Sequence, residues 1–127
     1  MSFDRYRPQM LAVLRIMTGL LFLAHGTQKL FGFPGQAPAL LNTLMLAAAL
    51  LETFGGLAIV AGFFTRPVAF VLAGEMAVAY FMAHLPRGFF PSANSGDAAV
   101  LFCFVFLYLC VAGSGTWSVD AMRAKAP

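Results

Sequence analysis

The amino-acid sequence predicts an all-α integral membrane protein: an antiparallel four-helix bundle, one domain over residues 1–127, N-in and C-in. Three observations predict it. Of 127 residues, 61% are hydrophobic and 10% are charged, against roughly 25% charged in soluble domains, and the mean hydropathy is +0.83. The apolar residues gather in near-continuous runs approaching ~20 residues, where a barrel would show ~10-residue alternation. Four crossings place Arg5, Arg7, Arg66, Arg123 and Lys125 on one side and only Lys29 and Arg87 on the other. The positive-inside bias makes the first side cytoplasmic.

Met1 to Pro8 is a short polar lead with Tyr6 between two arginines. Helix 1 is expected over about 9–31, and at ~1.5 Å per residue it crosses a ~30 Å hydrocarbon core. It is too long for the apolar region of a cleavable signal and no small-x-small site follows it, so it is expected to stay as a membrane helix. Gly32, Pro34, Gly35 and Pro38 break it. Helix 2 is expected over 43–63. Thr65-Arg66-Pro67 is a tight connection, with proline at a first helical position. Helix 3 follows over 67–85, then an aromatic loop over 86–96. Helix 4 covers 97–113, with Asp97 in its first turn, where an acid favours the helix dipole. Gly113-Ser114-Gly115 stops it, and Trp117 stands where interfacial anchors stand. Gly55, Gly56, Ala58 and Gly62 on helix 2, with Ala73, Gly74 and Ala77 on helix 3, suit close helix approach.

Ionisable groups at membrane depth are costly unless paired or hydrated, which makes each one a candidate functional group. Arg15 lies ~9 Å into helix 1, and antiparallel threading puts Glu52 and Glu75 near mid-membrane. The long Arg15 stem is expected to reach one of these carboxyls. The trio reads equally as a clasp that specifies the bundle and as a proton-carrying or ligand-orienting catalytic set. At the outer end gather His25, Gln28, Lys29, His84, Arg87, Asn94 and Asp97. His25, Gln28 and Lys29 share one helix face, as do Tyr80 and His84. Two histidines at similar height suit a quinone carbonyl, a haem or a metal. Glu75 and His84 are nine residues apart, about 180° around an ideal helix, so both face the bundle axis only if the helix is distorted.

Other chemistries find little support. The net charge of +3 is scattered without basic–aromatic interleaving, which disfavours nucleic acid. Cys103 and Cys110, seven apart on one helix, stand roughly 10 Å apart along the axis, too far for a disulfide, and read as packed or lipid-facing thiols. No zinc-like or CxxC spacing occurs, so a metal site is not expected.

The sequence resembles the DoxX family. The matching stretches are Arg15 with H-G-T-Q-K-L-F-G at 25–32, E-T-F-G-G at 52–56 with G-F-F-T-R at 62–66, and A-H-L-P-R-G-F-F-P at 83–91. They continue with N-S-G-D-A-A at 94–99 and G-S-G-T-W-S-V-D at 113–120. The resemblance implies a small bacterial inner-membrane protein associated with membrane redox systems, some of them quinone-linked and others serving oxidative-stress defence. The family's recurrent polar positions fall on Arg15, His25, Gln28, Lys29, Glu52, His84 and Asn94. Asp97 departs from the family's usual Glu.

The expected function is a membrane subunit of a quinone-linked oxidoreductase system. His25, Gln28, Lys29, His84 and Asn94 would bind the head group in the outer half, while Glu52, Glu75 and Arg15 tune or supply protons. The alternatives are a scaffold recruiting a soluble redox or stress-defence enzyme, and a haem protein with His25 and His84 as axial ligands. The expected partners are the lipid bilayer and a redox protein that supplies electrons. A homo-oligomer stays open.

Overall fold

In the computed structural model, which describes residues 2–39 and 41–125, every regular element is helical and no strand occurs among the described residues. A 3-10 turn over Asp4–Tyr6 leads into α1, Arg7–Phe31, with Pro8 in its first turn and Gly32 closing it in the left-handed region at φ 73°. Asn42 caps α2, Thr43–Ala61, its side-chain oxygen accepting the Met45 N–H at 2.8 Å. Such a cap satisfies one of the amides left over at a helix start. Gly62 ends α2 at φ 67°, and α3, Thr65–Ala79, begins three residues later. A π-helical turn over Tyr80–His84 and a 3-10 turn over Leu85–Arg87 carry α3 onward. The one-turn α4, Pro91–Asn94, precedes α5, Asp97–Ala112, and α6, Val119–Lys125, follows it.

The main helix boundaries lie within about two residues of expectation, apart from the end of helix 3, where α3 passes into the π turn after Ala79. Two differences matter. Helix 3 begins at Thr65, two residues early, because the carboxylate of Asp120 in α6 accepts the Phe64 and Thr65 N–H groups at 2.8 Å each. Loop 86–96 and the tail, both expected as irregular, each contain a short helix.

Three helical stretches, Asp4–Phe31, Thr43–Ala61 and Thr65–Arg87, are long and apolar enough to cross a membrane. The 16-residue α5 is apolar but shorter, reaching ~24 Å against a ~30 Å core. Large apolar side chains cover the outside, including Leu21, Phe54, Val71 and Leu101. That is the surface lipid requires, and it leaves close packing rather than water exclusion to hold the helices together.

The pairs α1 with α2 and α3 with α5 pack along their lengths, and α2 joins them to each other. Glycine allows the first pair to close. A Cβ on Gly26 would stand 2.5 Å from the Thr53 nitrogen, and one on Gly56 would stand 2.9 Å from the Leu23 Cα. Gly55 likewise accommodates Leu72 of α3, but Gly74 faces open space, contrary to the close approach expected of it. The interior is a cluster that includes Phe22, Ile59, Leu72, Met76, Phe106 and Leu109. Cys103 and Cys110 are free, half-buried thiols packed against it.

Candidate functional site

The polar residues expected to form one trio belong to two separate places. Arg15 is fully buried, yet it points toward the end of the molecule that carries the termini. Its guanidinium donates to the carbonyls of Val60 at 3.3 Å, Thr116 at 3.3 Å and Trp117 at 2.8 Å, with Ile59 at 3.5 Å. The expected contact between Arg15 and Glu52 or Glu75 is therefore corrected. Carbonyls left unpaired at the end of a helix are strong acceptors, and a planar five-donor fork can serve several at once. Arg15 joins the end of α2 to the G-S-G-T-W-S tail and forms no ion pair with a carboxylate among the described residues.

The two glutamates do meet each other, and their cation is Lys29. The Lys29 ammonium lies 2.5 Å from Glu52, whose side chain is 4% exposed. Glu75 stands beside both of them, and its Oε1 is buried with no hydrogen-bond partner among the described residues. Lys29 and Glu52 line a cavity of about 360 Å³ at the loop end of the helices, together with His25, His84, Phe22 and Phe102. Four helical stretches thus contribute to one chamber.

His84 reaches the chamber through the π turn. Hydrogen bonds from i to i+5 rotate the chain less per residue than an α-helix does, and such turns collect at functional sites. Over Tyr80–His84 this removes part of the rotation that would set His84 opposite Glu75. The distortion that the nine-residue spacing demands is present. His84 Nδ1 lies 3.2 Å from the Asn94 carbonyl. A carbonyl only accepts, so Nδ1 carries the hydrogen, and in the neutral ring Nε2 is left as an acceptor.

Asn94 and Gln28, expected as ligand-binding, have other work. Asn94 is 1% exposed. Its amide nitrogen donates to the Gly88 carbonyl at 2.9 Å and the Tyr80 hydroxyl at 3.1 Å, and its side-chain oxygen accepts the Gly96 N–H at 2.8 Å. It clasps loop 88–96 and presents its backbone to His84. Gln28 donates to the Gln36 carbonyl at 3.4 Å, tethering the other loop outside the chamber.

His25 lines the chamber and is also exposed, its ring edge-on to Phe102 at 5.8 Å. Phe22 and Phe102 stand with centroids 5.2 Å apart. These two phenylalanines were missed as wall residues because nothing separates them from other apolar positions in their runs. Asp120 was missed as well. Its carboxyl is pushed up by burial, but hydrogen bonds from Thr65 and Phe64, together with the Arg123 charge, hold it below the ordinary carboxylate range. The described residues contain no group of three or more His, Cys, Asp or Glu able to hold a metal ion.

The model of the DoxX family matches residues 10–85. An uncharacterized protein of Haemophilus influenzae is 40% identical over 126 residues, covering 94% of each chain. Two inner membrane proteins of Escherichia coli also align. YqjF is 29% identical over 89% of this chain and 91% of its own, and YphA is 30% identical over 94% of each. No solved structure matches. The matched span, the full-length relatives and the apolar helices agree: the chain is an inner-membrane protein and belongs to the DoxX family.

Proposed function

We propose that this protein binds a quinone, or a similar small ring with hydrogen-bonding oxygens, in the loop-end chamber, as the membrane subunit of a quinone-linked oxidoreductase system. In this proposal α1, α2, α3 and α5 form an antiparallel four-helix bundle with both termini in the cytoplasm and the chamber in the outer half. The carrying observation is that His25, Lys29, Glu52 and His84 converge on one cavity walled by Phe22 and Phe102. A volume of about 360 Å³ falls at the small end of ligand sites, which typically span roughly 300–1,000 Å³ and combine apolar walls with a few placed polar groups.

The donor set suits such a ring. Lys29 and the His25 ring can donate to a carbonyl oxygen, while His84 accepts from a hydroxyl after reduction. A quinone takes up two electrons and two protons, and titratable groups beside its oxygens serve the proton half. Glu52 and Glu75 stand beside Lys29 as the carboxyl groups that would pass these protons on, and a partner redox protein supplies the electrons.

Purification from native membranes, followed by mass spectrometry of extracted small molecules and a visible spectrum, tests the proposal. Co-purified quinone supports it, as does quinone binding by the protein in nanodiscs that weakens about tenfold in His25→Ala, the loss of roughly 1.4 kcal/mol. A Soret band would replace the quinone by haem between His25 and His84. Absence of both ligands, with no quinone binding in nanodiscs, would leave the scaffold reading, and unchanged quinone affinity in His25→Ala would remove His25 from the site.

A further inference from the structure

The chamber reaches the outer surface at His25 of α1, beside Phe102 of α5, and these two helices also line an apolar groove. Helices α1 and α5 are neighbours that touch only sparsely. Where they pass the chamber, His25 belongs at once to its lining and to the outer surface. Toward the terminal end, the same two helices leave a second hollow of about 910 Å³, lined by Met10, Leu14 and Met17 of α1 and by Tyr108 and Ala112 of α5. Leu21, on α1 between the chamber and the groove, is 56% exposed. Behind it Phe22, Phe102 and Phe106 pack edge-to-face and stacked, with Phe22 and Phe106 centroids 4.9 Å apart. These rings fill the interior between the two hollows, so a ligand reaching from one to the other would lie along the outer face of the α1–α5 seam.

We infer that the site takes an amphiphile, with a polar ring in the chamber and a long apolar tail lying in the α1–α5 groove. The inference rests on the chamber being a ring site. Met17 and His25 are eight helical residues apart, so the tail must run ~12 Å or more to enter the groove. Bulk lipid solvates this groove without hydrophobic gain, because acyl chains are as apolar as its walls. A tail tethered to a bound ring differs from free lipid: the ring has already lost the translational freedom that each free lipid would have to lose, so close packing of the tail in the groove adds to affinity. The groove then selects for tail length, while the chamber selects for the head.

The probe is a benzoquinone carrying a dodecyl tail that ends in a diazirine, added to the full-length chain in nanodiscs and illuminated. The same ring bearing only a methyl group serves as competitor. Competed label concentrated on residues 14–17 and 108–112 is expected. Leu14→Trp, which fills the groove, is expected to weaken the tailed probe about fivefold and to leave the methyl ring's affinity unchanged. Competed label spread evenly over lipid-facing residues, or equal binding of the tailed probe to wild type and Leu14→Trp, overturns the tail site and leaves the chamber intact. A disulfide between two copies through Met10→Cys under mild oxidation, unaffected by the tailed probe, would give the groove to a second copy and also overturn it. If the methyl ring itself fails to bind, the chamber proposal falls, and the tail site falls with it.

Discussion

The Lys29 ammonium and the Glu52 carboxylate form a 2.5 Å ion pair between α1 and α2, unequally buried: 27% of the lysine side chain is exposed and 4% of the glutamate. Removing either partner should therefore have unequal effects. Lys29→Met strands a carboxylate in the interior and should cost about 3 kcal/mol, as broken buried pairs do. Glu52→Gln should cost less, because the lysine stem can extend toward the interface and Glu75 stands close enough to take over. Denaturation of both variants and of the double mutant measures the asymmetry. Equal costs would contradict it.

Gly26 and Gly74 give opposite expectations for the same substitution. An alanine methyl at Gly26 would collide with the backbone of Thr53 and Glu52, so Gly26→Ala should force α1 from α2, cost about 1–3 kcal/mol and loosen the Lys29–Glu52 contact. At Gly74 the methyl meets nothing within 4 Å. There the better helix propensity of alanine should stabilise α3, by up to ~1 kcal/mol. Thermal melting in detergent distinguishes the two.

Arg15→Lys keeps the charge and loses the fork. An ammonium cannot reproduce a planar contact to the ends of both α2 and the tail. The expected result is a folded protein whose 113–118 segment is cut faster by protease, with stability lower by about 2 kcal/mol. Unchanged cleavage would show that the tail is held by Ser118 and Asp120 without Arg15.

Asp120 sets an acid limit on the same end. Its carboxyl titrates below the ordinary range when folded, so its contribution is present above the unfolded value of about 3.9 and is lost as pH falls through the lower folded value. Asp120→Asn should remove that acid-side dependence and cost about 1 kcal/mol at neutral pH, as lost helix caps do. Melting curves from pH 7 downward, compared between the two proteins, check the sign.

The helices were legible because their signals are local: apolar length, with glycine and proline stops. The meeting of Glu52, Glu75 and Lys29 was half legible. Antiparallel threading put the two acids at one depth, but Arg15 looked like their nearest cation because its true partners are backbone carbonyls, which leave no mark in a sequence. Asn94 and Gln28 had the composition of ligand contacts and the geometry of loop clasps, a distinction made by neighbours that the chain order does not reveal. The π turn was readable only as a conflict, two residues of interest on opposite faces of one helix.

The bonds that Arg15 makes impose an order on biogenesis. It enters the bilayer with the first helix, whereas two of its acceptors, Thr116 and Trp117, lie 101 and 102 residues downstream. While the ribosome is still at work, the guanidinium has at most the acceptors at the end of α2, 44 and 45 residues on. Full solvation of that charge waits for the last segment to be translated, so a nascent chain released before Trp117 carries an incompletely matched cation.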